Sequence, residues 1–305
     1  LSQLPADHRS LALAVETFSA VLREQPDSKL ERDWAWGAYD SEGVRFALFR
    51  TYEELCELAV RTAMERATQE QAISSAQRTL AQYHAAYRDL QAVLLVLPAG
   101  AADQAPAEGE WPLRRVLAHI AGADIGFYVV VRYALDRHRG GGGRPAEIPD
   151  EAWEPILGHE LSSVDAILDG PLAGIRTYHQ TLHERVLHEF ADITEAELAA
   201  PSAYWEGYEL SLRFRLHRFD SHLRQHTIQV DKTLHALGYP PSEAKRILRL
   251  VYAALAGAEG AAIGAWDAAA GLWSEAAQVI TTRADEIAGI LAEDEIRPST
   301  SAKTG

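Results

Sequence analysis

The stretch HRFDSHLRQHTIQV, residues 217–230, carries three of the chain's twelve histidines. His222 and His226 stand four residues apart. On a helix that spacing puts both side chains on one face, about 6 Å apart at their bases. Two imidazoles placed so can each aim a ring nitrogen at one ion, and neutral imidazole is a good ligand for zinc, nickel or iron. The other reading is one packed, hydrogen-bonded histidine and one solvated one. His179 and His183, in YHQTLHERVLHEF, have the same spacing, and spacing alone does not choose between the pairs. A third ligand would have to come from another helix. His119, in WPLRRVLAHIAGAD, flanks Ile120 and shares a small apolar face with Val116 and Ala123. A histidine on such a face is either buried and satisfied or a ligand.

Other chemistries find little support. The glycine run in RGGGGRPAEIPD has no Gly-Lys-Ser/Thr after it and no strand before it, so it reads as a flexible connection and not as a phosphate loop. There is no Gly-x-Ser-x-Gly elbow, no His-Glu-x-x-His motif and no dinucleotide fingerprint. The single cysteine, Cys56, rules out a disulfide or a thiolate zinc site within one chain, and fits a reducing cytoplasm. A net charge of −15 without a basic stripe argues against nucleic acid and against an anionic membrane surface. No run of about 18 uncharged apolar residues suggests a membrane span. The opening LSQLPADHRS lacks the basic-then-apolar order of a signal peptide.

The elements that must position the histidines are helices. Ala, Leu, Glu and Arg dominate, and alternating β-branched runs are nearly absent. Helices are expected over 6–24, 42–67, 69–97, 112–137, 162–169, 172–190, 209–237, 242–255 and 262–291, with Pro112 in a first-turn position. The Gly-then-Pro signal GYPPSE closes the helix that carries His222 and His226. Four helices have apolar seams with alternating three-four spacing. They run through Leu80–Leu97, Leu113–Val131, Leu172–Val186 and Leu216–Leu237, which suits a four-helix bundle. With 305 residues, 47% of them hydrophobic, the chain can build two packed units. Trp34 and Trp36, in DWAWGAYD, are either packing residues or a partner surface.

Two segments together resemble the DinB-like superfamily. In WPLRRVLAHIAGAD, Trp111 precedes His119 by eight residues, as in that superfamily's second helix. HLRQHTIQVDKTLHALG matches its fourth helix, with His222, His226, Gln229 and Gly238 in order. The resemblance spans about residues 78–238. It implies an all-α, up-down-down-up bundle that holds one divalent metal (Zn, Ni, Fe or Mn) on His119, His222 and His226. It also implies a metal-dependent enzyme, a thiol-dependent transferase or isomerase or else a hydrolase, acting on a small molecule, with a low-molecular-weight thiol as the expected partner. A metal-stabilised module that only binds a ligand or protein partner is the alternative, and the chain could act as a homodimer. Asp220, Asp124, Tyr128, Tyr178 and Glu184 are the candidates for moving a proton. The expected organisation is an N-terminal helical extension over 1–77, the bundle over 78–238, C-terminal helices over 239–292 packing with the extension, and a disordered tail over 293–305.

Overall fold

A computed structural model of the chain describes residues 6–37, 42–98, 100–143, 147–203 and 207–296. The fold is all-α: eleven α-helices and no strand among the described residues, with one isolated bridge between Pro201 and Ser211. The helices are α1 (Ala6–Leu22), α2 (Val44–Thr68), α3 (Ser75–Val93), α4 (Leu113–Arg139), α5 (Trp153–Leu157), α6 (Leu161–Leu168), α7 (Leu172–Glu189), α8 (Glu195–Ala199), α9 (Leu212–Ala236), α10 (Glu243–Ala262) and α11 (Ala270–Ile296). Residues 297–305, most of the expected tail, lie outside the described residues.

The four seam-bearing segments form a bundle. α9 and α7 each pack against both α3 and α4. Leu80, Tyr83, Leu117, Ile120, Val186, Phe219 and Leu223 meet in its core. The long connection from α4 to α7 contains α5 and α6, which pack back on α4. α5 and α8 were not foreseen, although Thr194 and Glu197 form a reciprocal cap that could have marked the start of α8.

A second core lies among α1, α2, α10 and α11. α2 packs on α10 and α1 on α11, with further contacts closing the ring. Leu11, Phe18, Leu48, Leu55, Leu248, Val251, Trp273 and Ile280 fill it. α10 also packs along α3, so one helix serves both cores. Arg66 fastens this junction. It donates to the carbonyls of Ala261 (2.8 Å) and Ile263 (2.9 Å) and to Gln77 Oε1 (2.8 Å). Gly264 is required beside it: its φ is +77°, and a Cβ there would come within 2.2 Å of the Gln77 amide.

Helix ends differ from expectation where local hydrogen bonding decides. The helix expected over 69–97 spans only Ser75–Val93. Ser74 caps it, accepting from Gln77 N while the Gln77 side chain accepts from Ser74 N. Glu70, with φ +56°, belongs to the preceding turn. Pro112 is the residue before α4 and not its first turn; its ψ of 156° is extended. α10 runs on to Ala262, seven residues beyond expectation, and α11 starts only at Ala270. α4 is the one helix among the described residues with the length and apolarity to cross a membrane, and half of that stretch is buried inside the protein. Its apolar positions serve as a bundle core, which also holds the buried carboxylate of Asp124.

Candidate metal centre

α9 begins at Ser211, whose hydroxyl accepts from Phe214 N. It ends at Ala236, ahead of Gly238 at φ +88° and two prolines. Inside this frame His222 and His226 sit one turn apart on the side that faces α4. His222 is 7% exposed and His226 9%, so neither is the solvated residue that a bare surface pair would contain. His119 stands opposite on α4. It is exposed, so of the two readings of its apolar face the buried, satisfied one does not hold.

The three rings converge. One ligand nitrogen from each lies within 4.8 Å of those of the other two. Nε2 of His222 is 3.2 Å from Nε2 of His119. Nδ1 of His226 is 2.8 Å from Gln229 Oε1, and a carbonyl oxygen only accepts. Nδ1 of His226 therefore carries the proton, and Nε2 presents its lone pair to the other two histidines. Burial pushes His222 down to about 4, with His226, His119 and Arg218 adding to the effect. Burial and His226 also lower His119. These two rings are thus neutral at pH 7, the form that donates a lone pair.

The surroundings are aromatic and cationic. Trp111 packs edge-on against His119 (centroids 5.4 Å apart), and Phe127 against His222 (5.4 Å). The guanidinium of Arg115 lies over Trp111, and that of Arg218 over Phe127.

The rival pair is used elsewhere. His179 Nε2 donates to Asp124 Oδ2 (2.9 Å), and His183 Nε2 meets His84 Nδ1 (2.9 Å). The two rings serve separate buried polar contacts and share no focus. Sequence reasoning missed His84 and Tyr83, which complete these contacts, because each needs a partner from a distant helix. The proton-transfer candidates also have partners. Tyr128 donates to Glu189, Asp220 pairs with Arg224, Glu184 accepts from Gln180, and Tyr178 bonds His159.

A family model described as the DinB superfamily matches residues 82–230. These residues form a DinB-superfamily bundle. The match runs from within α3 to within α9, so it takes in all three converging histidines and leaves the second core outside. No curated protein and no solved structure matches the chain. The DinB assignment and the four seams agree on the same helices, which accounts for how early the bundle could be read. The donor set also fits the metal that this superfamily often carries: three imidazoles with lone pairs in reach of one point, and a buried His222 Nδ1 with no hydrogen-bond partner.

Proposed function

We propose that His119, His222 and His226 hold one divalent metal ion, and that the DinB bundle is a metal-dependent enzyme acting on a small molecule. The observation that carries this is the convergence of three ring nitrogens from two helices on one point. Three protein ligands leave coordination positions open, and a bound ion would supply Lewis acidity to a water or a substrate thiol there. The chain's own residues do the rest. Gln229 fixes the tautomer and orientation of His226. Trp111 and Phe127 pack edge-on against His119 and His222 and give the centre an aromatic rim. Arg115 and Arg218 flank them with positive charge, which favours an anionic substrate or a thiolate. Thiol transfer is the reaction class that the family resemblance supports, and a cytoplasmic setting belongs to the same proposal.

The metal-to-protein ratio of purified variants tests the centre. Ala at His119, His222 or His226 should each lose most of the bound metal, while Ala at His179 or His183 should leave the ratio unchanged. The reverse pattern would sink the assignment. Gln229→Leu keeps all three ligands but removes the hydrogen bond that orients one of them. Its metal affinity should fall by about 10–100-fold, measured by competition with a chromogenic chelator. Unchanged affinity would mean that Gln229 has no orienting role.

One observation favours the second reading, a metal-stabilised module without catalysis: each proton-transfer candidate is engaged with a partner other than the three histidines. The readings part on exchange. Metal that swaps readily with free ion and is perturbed by added low-molecular-weight thiol supports the enzyme. Exchange-inert metal that ignores thiol supports the module.

A further inference from the structure

On another side of the bundle, where α3 and α7 face α1 and α10, lies a cavity of about 410 Å³. Its size falls within the range of roughly 300–1,000 Å³ typical of small-molecule sites. Both cores contribute walls. Leu90, Leu117 and Ile175 line one part, while Arg23 and Arg176 bring two cations and Glu16 one carboxylate. In a chain of net charge −15, an excess of positive charge at a cavity is a local selection for anions. Arg176 is unspent, and Arg23 makes one long ion pair, with Glu24. Arg176 makes no hydrogen bond or ion pair among the described residues. Nε of Arg23 is buried without a hydrogen-bond partner, its nearest carboxylate being Glu24 at 3.7 Å.

A third polar group is prepared more carefully. His179 lines the same cavity. Its Nε2 donates to Oδ2 of Asp124, a fully buried carboxylate that also accepts from the Tyr83 hydroxyl at 2.7 Å. A buried carboxylate that holds one ring nitrogen fixes the tautomer of the ring. Nδ1 is then the nitrogen left for the cavity, and it can only accept.

We propose that this cavity binds a small organic carboxylate with a branched or short alkyl body and a hydroxyl or similar donor. Arg23 and Arg176 take the carboxylate, the leucine and isoleucine wall takes the alkyl body, and His179 Nδ1 accepts from the donor. The site is independent of the histidine metal centre, which lies between α4 and α9.

Calorimetric titration of the full chain with three probes tests this. α-Hydroxyisocaproate offers charge, donor and alkyl body; isocaproate lacks the donor; isohexanol lacks the charge. The expected order of affinity is α-hydroxyisocaproate, then isocaproate, then isohexanol. Arg176→Gln, a change at an exposed side chain, should weaken both acids by about tenfold, the loss of one charge-assisted hydrogen bond. His179→Phe should abolish the preference for the hydroxy acid over isocaproate while isocaproate still binds. His222→Ala should bind all three as wild type does, which separates this site from a carboxylate resting on bound metal. No binding of either acid, equal binding of isohexanol, an unaffected Arg176→Gln variant, or loss of acid binding in His222→Ala would each overturn the proposal.

Discussion

Replacing Glu259 by Gln should cost about 3–5 kcal/mol of folding stability, the range for breaking a buried ion pair from one side. Glu259 sits on α10 and is 3% exposed. Its carboxylate accepts from Arg88 Nε (2.7 Å) and Nη2 (2.5 Å), and His84 Nε2 lies 2.7 Å away. Arg88 and His84 belong to α3, so this cluster sits on the seam between the two cores. The amide would leave a buried guanidinium without its counter-charge. Burial alone would raise the Glu259 carboxyl; Arg88 and His84 outweigh it and hold the group at about 2, below its usual 4.5. The sign follows. Above about 4.5 both folded and unfolded chains are ionised and the contribution is complete. As pH falls from there toward 2 the unfolded chain takes up a proton that the folded chain refuses, and stability on the order of 3 kcal/mol is lost. Urea unfolding of wild type and Glu259→Gln from pH 7 to pH 3 should show wild type falling steeply below 4.5 and the variant falling less. Replacing both partners, Arg88→Met with Glu259→Leu, should recover most of the loss, since an apolar pair of similar volume avoids desolvating charge. A single variant within 1 kcal/mol of wild type at pH 7 would remove the cluster from any account of stability.

The contrast between that cluster and the metal centre explains what the sequence could carry. His222 and His226 announce themselves through an i, i+4 spacing, and Gln229 follows one turn later, so a local pattern holds three of the four groups. His119 needed the match of a second segment. Arg88, His84 and Glu259 share no local pattern: two lie on one helix and the third about 170 residues on, and only the packing of α10 on α3 unites them. His179 shows the same limit. Its seam position and its spacing from His183 are legible, but its function depends on Asp124, which the seam of α4 shows only as a polar interruption. The bundle itself was readable because its seams repeat at three and four. For α1, α2, α10 and α11 the apolar stripes led only to the expectation that the C-terminal helices pack with the N-terminal extension. That α2 meets α10 and α1 meets α11 was not legible, because these segments lie more than 170 residues apart and periodicity says that a face is buried without saying against what. Helix ends were decided by single caps such as Ser74 with Gln77, whose force depends on the turn before them. At the other site of doubt Trp34 is a packing residue, 5% exposed, while Trp36 stays partly open beneath Arg50; Ala38, Tyr39 and Asp40 lie outside the described residues.

Trp273→Ala should be as damaging as Glu259→Gln, and it addresses how far the second core supports the first. Trp273 on α11 is fully buried. It stacks on the ring of His8 from α1, with centroids 3.8 Å apart and planes 29° apart. Burial lowers His8, which keeps that ring neutral against the indole, and its Nε2 bonds the carbonyl of Trp266 at 2.9 Å. Removing the indole forfeits its transfer free energy and leaves a cavity that rigid helices fill only in part, at a cost of about 3–5 kcal/mol. Trp273→Phe keeps an aromatic face on His8 and should lose less. The consequence should not stay local. Trp266 packs against both cores, and α10 lies against α2 on one side and α3 on the other. Loosening α11 therefore loosens α1 and α10, and through α10 the helix that carries Tyr83, His84 and Arg88. Denaturant unfolding should give one transition, shifted to lower concentration, and amide exchange should quicken in α3 as well as in α1 and α11. Faster exchange confined to α1 and α11, with α3 as slow as in wild type, would mean that the two cores are held separately and that the DinB bundle owes nothing to the helices around it.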